Sequence, residues 1–489
     1  MSSGQVSKTP FTTEIFAGLL FEYQWNAQTL TYSIPSGTAF FSQNYSTRNE
    51  WNNWYVITSS QAQRFRELID EVNRYINLEI IEVPDDRSYG DIRIAYTDAV
   101  SSNSLGYAYL PTPRFVNGTQ ANPASGDIWL STDLYNQNDT AGSHFYHILM
   151  HELGHALGLT HPFEANTPFP RTPTEFDNFQ YSVMSYSQHP SHFGAYPKTF
   201  MPFDILALQY LYGANLDYSP EDTVYQFTDN IGIITIWDPN GFNTLDFSAL
   251  SSSVTVDMNE GGFSSAGSVE TAWERHQPGN NNLALAYGTQ IHEVIGTDSN
   301  DTIIGNSLDN TVYLGSGNDL YIYKNGIDYV DGESGHNILA LPGMHDEWLL
   351  SQDNNSAFTL SHQSNSSSIV HFTNISEINF DNRSFALNEL LQKYDLIDEP
   401  TLTSARLTNP NSPFDSAIIT DSNFVSMEEA QLYRIYLGLL DRVPDQAGFE
   451  WWLNRSQQDA SFDQLIAGFY NSPPESVTSD SINVFKTLQ

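Results

Sequence analysis

Cysteine is absent from the 489 residues. Its absence excludes a disulfide framework, thiolate metal sites and a cysteine nucleophile. Basic residues are scarce: 19 Lys plus Arg face 58 Asp plus Glu, a formal net charge of −39 at pH 7. A surface of that sign disfavours nucleic acid and anionic membranes as partners. Charged residues total only 16%, so the imbalance is a shortage of cations, and metal ions are the natural partners for the surplus carboxylates. No apolar run reaches the roughly 20 residues that span a bilayer, so membrane insertion is not expected. Met1–Thr13 is polar and lacks the basic and apolar regions of a secretory leader. Export is therefore expected by a route without a cleaved N-terminal signal. What is present is 40% apolar and 13% aromatic residues, enough for sizeable cores, in a length that predicts about three domains.

Along the chain, Phe65, Leu68, Ile69, Val72, Tyr75 and Ile76 recur at helical spacing and predict a helix over 59–77, capped by Ser59 or Ser60. Strands are predicted at 78–83, at 91–97 with Ile92, Ile94 and Tyr96 alternating, at 106–110 and at 127–131. A second helix is expected over about 143–157, ended by Gly158, and a third from Asp204 to Gly213. Beyond Asn215, Gly, Asn, Ser and short alternating runs predict an all-β region to about 395. A Pro- and Ser-containing linker follows, and helical periodicity returns near the end.

The run His151-Glu152-Leu153-Gly154-His155-Ala156-Leu157-Gly158-Leu159-Thr160-His161 carries the chemistry. On a helix, His151 and His155 stand one turn apart on one face, so both imidazoles can reach one Zn²⁺ at about 2.0–2.1 Å. Gly158 tolerates the left-handed conformation that turns the chain back. His161 can then supply a third nitrogen, with a fourth position left for water, the arrangement of a catalytic site. Glu152 adjoins the metal without ligating it and is placed to take a proton from water. His144 and His147 are read as packing or outer hydrogen-bonding groups.

This run resembles the extended zinc motif of the metzincins, and Ser182-Val183-Met184-Ser185-Tyr186 resembles the Met-containing turn of the serralysins among them. The resemblance implies that Met184 forms an apolar floor beneath the ligands. It also implies that Tyr186 is a switchable ligand which leaves zinc to hydrogen-bond the developing oxyanion. Phe203–Asn215 resembles the helix closing serralysin catalytic domains, and Trp237–Ser248 and Ala286–Thr289 resemble parts of the β domain that follows. Gly106, Tyr107, Ala108 and Tyr109, within Gly106–Pro111, resemble the edge strand along which metzincins hold substrate; the alternative is an ordinary sheet strand.

Between 296 and 339 five units repeat every nine residues, with Asp301, Asn310, Asp319, Asp328 and Asn337 at their sixth positions. Ile303, Val312, Tyr321, Val330 and Leu339 stand at the eighth. The units resemble the glycine-rich RTX repeat, whose parallel β-roll holds Ca²⁺ between carboxylates 18 residues apart and the carbonyls of tight Gly turns. That resemblance implies several structural Ca²⁺ ions; a metal-free solenoid is the alternative. Residues 432–452 resemble a helical module of unknown function found in bacterial secreted proteins.

The expectation is therefore a multi-domain chain. An N-terminal tail or short propeptide (1–15) precedes an α/β metzincin-type catalytic domain (16–215). An all-β parallel β-roll/β-sandwich domain (216–395), a linker (396–423) and a small α-helical domain (424–489) follow. The expected function is a secreted, extracellular, monomeric zinc endopeptidase acting on polypeptides and exported by a type I apparatus. The rivals are a calcium-dependent adhesin with a non-cleaving protease domain, and zinc-dependent hydrolysis of something other than peptide.

Overall fold

Helix α1 (Ser59–Tyr75) is capped by Thr58, one residue before the first expected cap, Ser59. The Thr58 hydroxyl accepts the Gln61 N–H while the Gln61 side chain accepts the Thr58 N–H, so two otherwise unpaired donors are satisfied reciprocally. Phe65, Leu68, Ile69, Val72 and Tyr75 are buried along one stripe, as the periodicity predicts. Helix α2 (His144–Ala156) is capped by Ser143 and buried on almost every side. Helix α3 (Pro202–Tyr212) starts with Pro at its first position and stops at Gly213, whose φ of 81° no helical residue adopts.

This computed structural model describes residues 5–394 apart from 38, 42–44, 86–87, 101–103, 117–118, 121, 166, 272–275 and 353–356. The expected linker and C-terminal helical domain lie outside the described residues. Contacts divide the chain into two units, the first comprising residues up to Ser252 with 256–291, the second 253–255 with residues from His292 on.

Strand β1 (Val6–Lys8) pairs antiparallel with β2 (Tyr23–Trp25), so part of the expected tail is a structured strand of the first unit. The main sheet is built from β3 (Thr29–Ser33), β4 (Trp54–Tyr55), β5 (Glu79–Glu82), β6 (Ile92–Thr97), β7 (Gly106–Ala108) and β8 (Ile128–Ser131). Its order is β5-β3-β6-β8-β7, parallel except for β7, with β4 paired antiparallel to β6. Every residue of β6 and β8 is buried, although the alternation in 91–97 predicts one covered face. The difference is an aromatic layer of Phe41, Tyr45 and Trp129, with Trp51, Trp54, Tyr107 and Tyr109 against it, which covers the second face. The helices cover the first.

In the second unit the nine-residue period becomes strand geometry. Strands β9 (Glu293–Ile295), β11 (Thr311–Tyr313) and β13 (Gly326–Asp331) pair parallel in one sheet. Their counterparts β10 (Thr302–Ile304), β12 (Leu320–Ile322) and β14 (Ile338–Ala340) pair parallel in another. Each step of nine moves the chain to the opposite sheet, and each step of 18 returns it one strand along. All five eighth-position side chains are buried between the sheets. This is a parallel β-roll, continued by one more parallel strand in each sheet (Ser368–Thr373 and Glu377–Phe380), with antiparallel strands beyond them.

Candidate metal centre

Gly158, at φ 100°, takes the left-handed conformation the motif needs and reverses the chain after α2. The reversal brings His161 Nε2 to 3.1 Å from both His151 Nε2 and His155 Nε2. Among the described residues these three are the one group of three or more His, Asp or Glu side chains able to hold a metal ion. Nitrogens bound tetrahedrally at about 2.0–2.1 Å lie about 3.3 Å apart, close to this spacing.

The tautomers also suit a metal. His151 Nδ1 is 2.9 Å from the Val183 carbonyl and His155 Nδ1 is 2.8 Å from the Leu159 carbonyl, so each Nδ1 carries the proton and donates it. The Nε2 lone pairs then face one another, an arrangement that a shared cation stabilises. Burial lowers the pKa of His151 to about 4 and that of His155 well below the usual value, which keeps both in the neutral, ligating form. Glu164 Oε1 lies 3.0 Å from His161 Nδ1, and Phe163 stacks on the His161 ring at 5.1 Å. The donor set fits zinc.

Glu152 is buried, and burial raises its pKa to about 8, while a hydrogen bond from the Ala108 N–H pulls the other way. Its Oε2 has no protein partner. A Cβ on Gly106 would lie 3.1 Å from Glu152 Oε1 and 3.2 Å from Cγ, so glycine lets β7 run directly over the carboxylate. Strand β7 ends the main sheet: Leu105 and Tyr109 bond toward β8, which leaves the polar groups of Gly106 and Ala108 facing away from it. The Ser104 hydroxyl donates to the Gly106 carbonyl. Tyr107 and Tyr109 join the aromatic layer on the opposite face, where Tyr109 also donates to the buried Glu50 carboxylate.

Met184 is fully buried, its sulfur 2.5 Å from where a Gly154 Cβ would stand, so the Met-turn packs on α2 between the two helical histidines. The turn is braced by the buried Asp204, which accepts from the Ser182 hydroxyl at 2.6 Å, the Val183 N–H at 2.8 Å and the Met201 N–H at 2.9 Å. Tyr186 is two-thirds exposed, its ring 4.7 Å from His161 and 5.7 Å from His151. Burial, Glu152 and Glu164 raise its pKa. His144 stacks on Tyr196, and His147 packs between Phe179 and Tyr196.

The sixth-position residues of the roll all point inward and are buried. Asp319 Oδ1 accepts the Asp301 N–H, Asp328 Oδ1 the Asn310 N–H, and Asn337 Oδ1 the Asp319 N–H, at 2.8–3.0 Å and always across 18 residues.

Three family profiles match the chain: Matrixin over 24–169, Met-zincin over 135–229, and Peptidase M10 serralysin C terminal over 211–412. Over these residues the chain resembles the serralysins among the metzincins. Serralysin of Proteus mirabilis is 30% identical over 313 residues, 58% of this chain and 60% of that protein. Serralysin B of Dickeya chrysanthemi is 29% identical over 308 residues, 57% and 59% of the two chains. Serralysin of Photorhabdus laumondii subsp. laumondii is 31% identical over 261 residues, 48% and 51%. The matched region thus spans between half and three fifths of these relatives. In this serralysin-like site, the sequence reading missed Glu164, Phe163, Asp204 and the carbonyls of Val183 and Leu159. Only Glu164 left a signal, a carboxylate three residues after a ligand.

Proposed function

We propose that the protein is a zinc-dependent endopeptidase. The carrying observation is the convergence of three imidazole nitrogens beside a buried carboxylate with one unpartnered oxygen, lying under the outer edge of β7. His151, His155 and His161 would hold the zinc, which when bound polarises a carbonyl and eases deprotonation of water. An extended polypeptide adds to the outer edge of β7 through main-chain hydrogen bonds, which aligns its backbone over Glu152. Glu152 takes the proton of the attacking water and returns it to the leaving amine. The Tyr186 hydroxyl, on the solvent side of His151 and His161, donates to the oxyanion; removing one such donor typically costs about 3–4 kcal/mol of transition-state stabilisation.

Calcium in the β-roll, and folding that depends on it, belongs to the same proposal, with Asp301, Asn310, Asp319, Asp328 and Asn337 as the candidate residues. Its support is the period of nine and Asp319 Oδ2, which is buried without a partner. A secreted, extracellular, monomeric protein leaving through a type I apparatus agrees with the RTX-like repeat and the acidic surface. Among the described residues no helix is long and apolar enough to cross a membrane.

Glu152→Ala decides the catalytic reading. The variant should fold, keep one zinc by elemental analysis, and lose casein cleavage by at least about a thousandfold, the combined contribution of a general base and of water activation. Wild-type cleavage by the variant would remove Glu152 from the mechanism. A wild-type protein that binds zinc but cleaves no polypeptide would favour the adhesin reading.

A further inference from the structure

The turns of the roll fall on two edges. Residues 296–301, 314–319 and 332–337 form one, leading from the first sheet to the second; 305–310 and 323–325, with the first residues of β13 beside them, form the other. On the first edge, Asp319 is buried and its Oδ2 has no protein partner. Gly315 and Gly317 have φ of 89° and 135°, and the Gly315 carbonyl accepts the Ser334 N–H of the next turn. Glu333 stands at φ 50°, left-handed for a residue with a side chain, and with Asp301 it is near enough to raise the pKa of Asp319.

The second edge is built differently. Both Asp328 oxygens are engaged, Oδ1 by the Asn310 N–H at 3.0 Å and Oδ2 by the Tyr321 hydroxyl at 2.6 Å. Tyr321 stands at an eighth position, where the other four units carry aliphatic side chains, and it reaches across the interior. A Cβ on Gly305 would overlap its hydroxyl. A second buried phenol, Tyr323, donates to the carbonyl of Gly326, the positive-φ glycine that opens β13, at 2.9 Å. Asn310 is uncharged and makes its own bonds to Asn306. A carboxylate and a glycine carbonyl, the oxygen types that hold a hard cation, here each receive a phenol proton.

We propose that the two edges of the roll have diverged: one takes Ca²⁺ at Asp319, and the other is closed without metal by the phenols of Tyr321 and Tyr323. The first half rests on the calcium reading above; the second stands independently of it. Removing the Tyr321 hydroxyl leaves a buried carboxylate oxygen unpaired, a loss that calcium on the opposite edge does not relieve.

The test is thermal unfolding of the full-length chain, followed by tyrosine-sensitive near-ultraviolet circular dichroism, in chelator and in millimolar CaCl₂. In chelator, Tyr321→Phe and Asp328→Asn should each lower the melting temperature by about 3–8 °C. The double variant should fall no further than the worse single. With calcium, both should keep the full calcium-induced rise, whereas Asp319→Asn should lose it. Additive single effects in chelator would overturn the phenol closure, as would loss of the calcium response in Asp328→Asn or Tyr321→Phe. If the wild type shows no calcium response, the calcium reading fails with the first half, and the chelator comparison still decides the second. Should Asp328→Asn not fold, Tyr321→Phe alone decides: a lowered melting temperature in chelator supports the closure and an unchanged one rejects it.

Discussion

The three ligands differ in what holds them. His151 and His155 donate to backbone carbonyls, of Val183 and Leu159, that the fold sets in place. His161, the one ligand outside the helix, makes no hydrogen bond through Nδ1 among the described residues; a side-chain carboxylate, Glu164, lies 3.0 Å from it as an ion-pair contact only. A carboxylate behind a ligating histidine fixes the ring and raises its basicity, and loss of such a group typically weakens metal binding about 10–100-fold. Glu164 is half exposed, so Glu164→Ala should fold normally while its zinc dissociation constant rises toward the lower end of that range, read by chelator competition. Unchanged affinity would make the contact incidental. The ligands themselves were legible because a helix puts residues four apart on one face, a rule internal to the segment. Their supports were not, because a backbone carbonyl leaves no mark in sequence and becomes specific only when Val183 is folded beneath His151.

At the scale of elements, the close approach of β7 to α2 sets the cleft. Gly106 is the residue that permits it, since any Cβ there would stand within 3.2 Å of two Glu152 atoms. Gly106→Val adds two further methyl groups at that point and must displace the carboxylate, the strand, or both. Because displacements near 1 Å can lower rates about a hundredfold, the variant should lose kcat by one to two orders of magnitude with zinc content unchanged. Retained kcat would show that the strand sits further from Glu152 in solution. Elements with their own period or punctuation were readable: α1, α2, α3, β6 and β8 all fall within a few residues of expectation. Strands β1 to β4 were not anticipated, being short runs whose pairing depends on distant partners. The burial of both faces of β6 escaped notice because the layer covering it comes from Phe41, Tyr45 and Trp54, some 40 to 50 residues away in sequence.

Across the whole molecule, the acid surplus extends into the interior. Glu71, Asp127 and Asp204 in the first unit, and Asp319 and Asp328 in the second, are each raised to about 7, in every case chiefly by burial. A carboxyl whose folded pKa exceeds its unfolded value near 4 keeps its proton in the folded chain between those limits, so its contribution to stability is present at low pH and lost as pH rises through 7. Buried histidines oppose this. His189 is lowered to about 4 and His192 is lowered too, so below pH 6.5 the unfolded chain takes up protons that the folded one refuses. The two effects partly cancel between about pH 4 and 6.5. Above 6.5 the opposition fades, because histidines of the unfolded chain are already half deprotonated there and neutral by about pH 7.5, while the carboxylates still titrate, with the repulsion of a −39 charge in the same direction. In chelator, the melting temperature should therefore fall between pH 6.5 and 8. Glu71→Gln provides the control. Its amide oxygen can still accept from the Tyr75 hydroxyl and the Phe200 N–H, which Glu71 now accepts at 2.6 and 3.2 Å, but it cannot ionise, so the slope should flatten by up to about 1.4 kcal/mol per pH unit. A melting temperature that rises from pH 6.5 to 8 would mean that these carboxyl groups gain ionic partners on folding and are not merely buried.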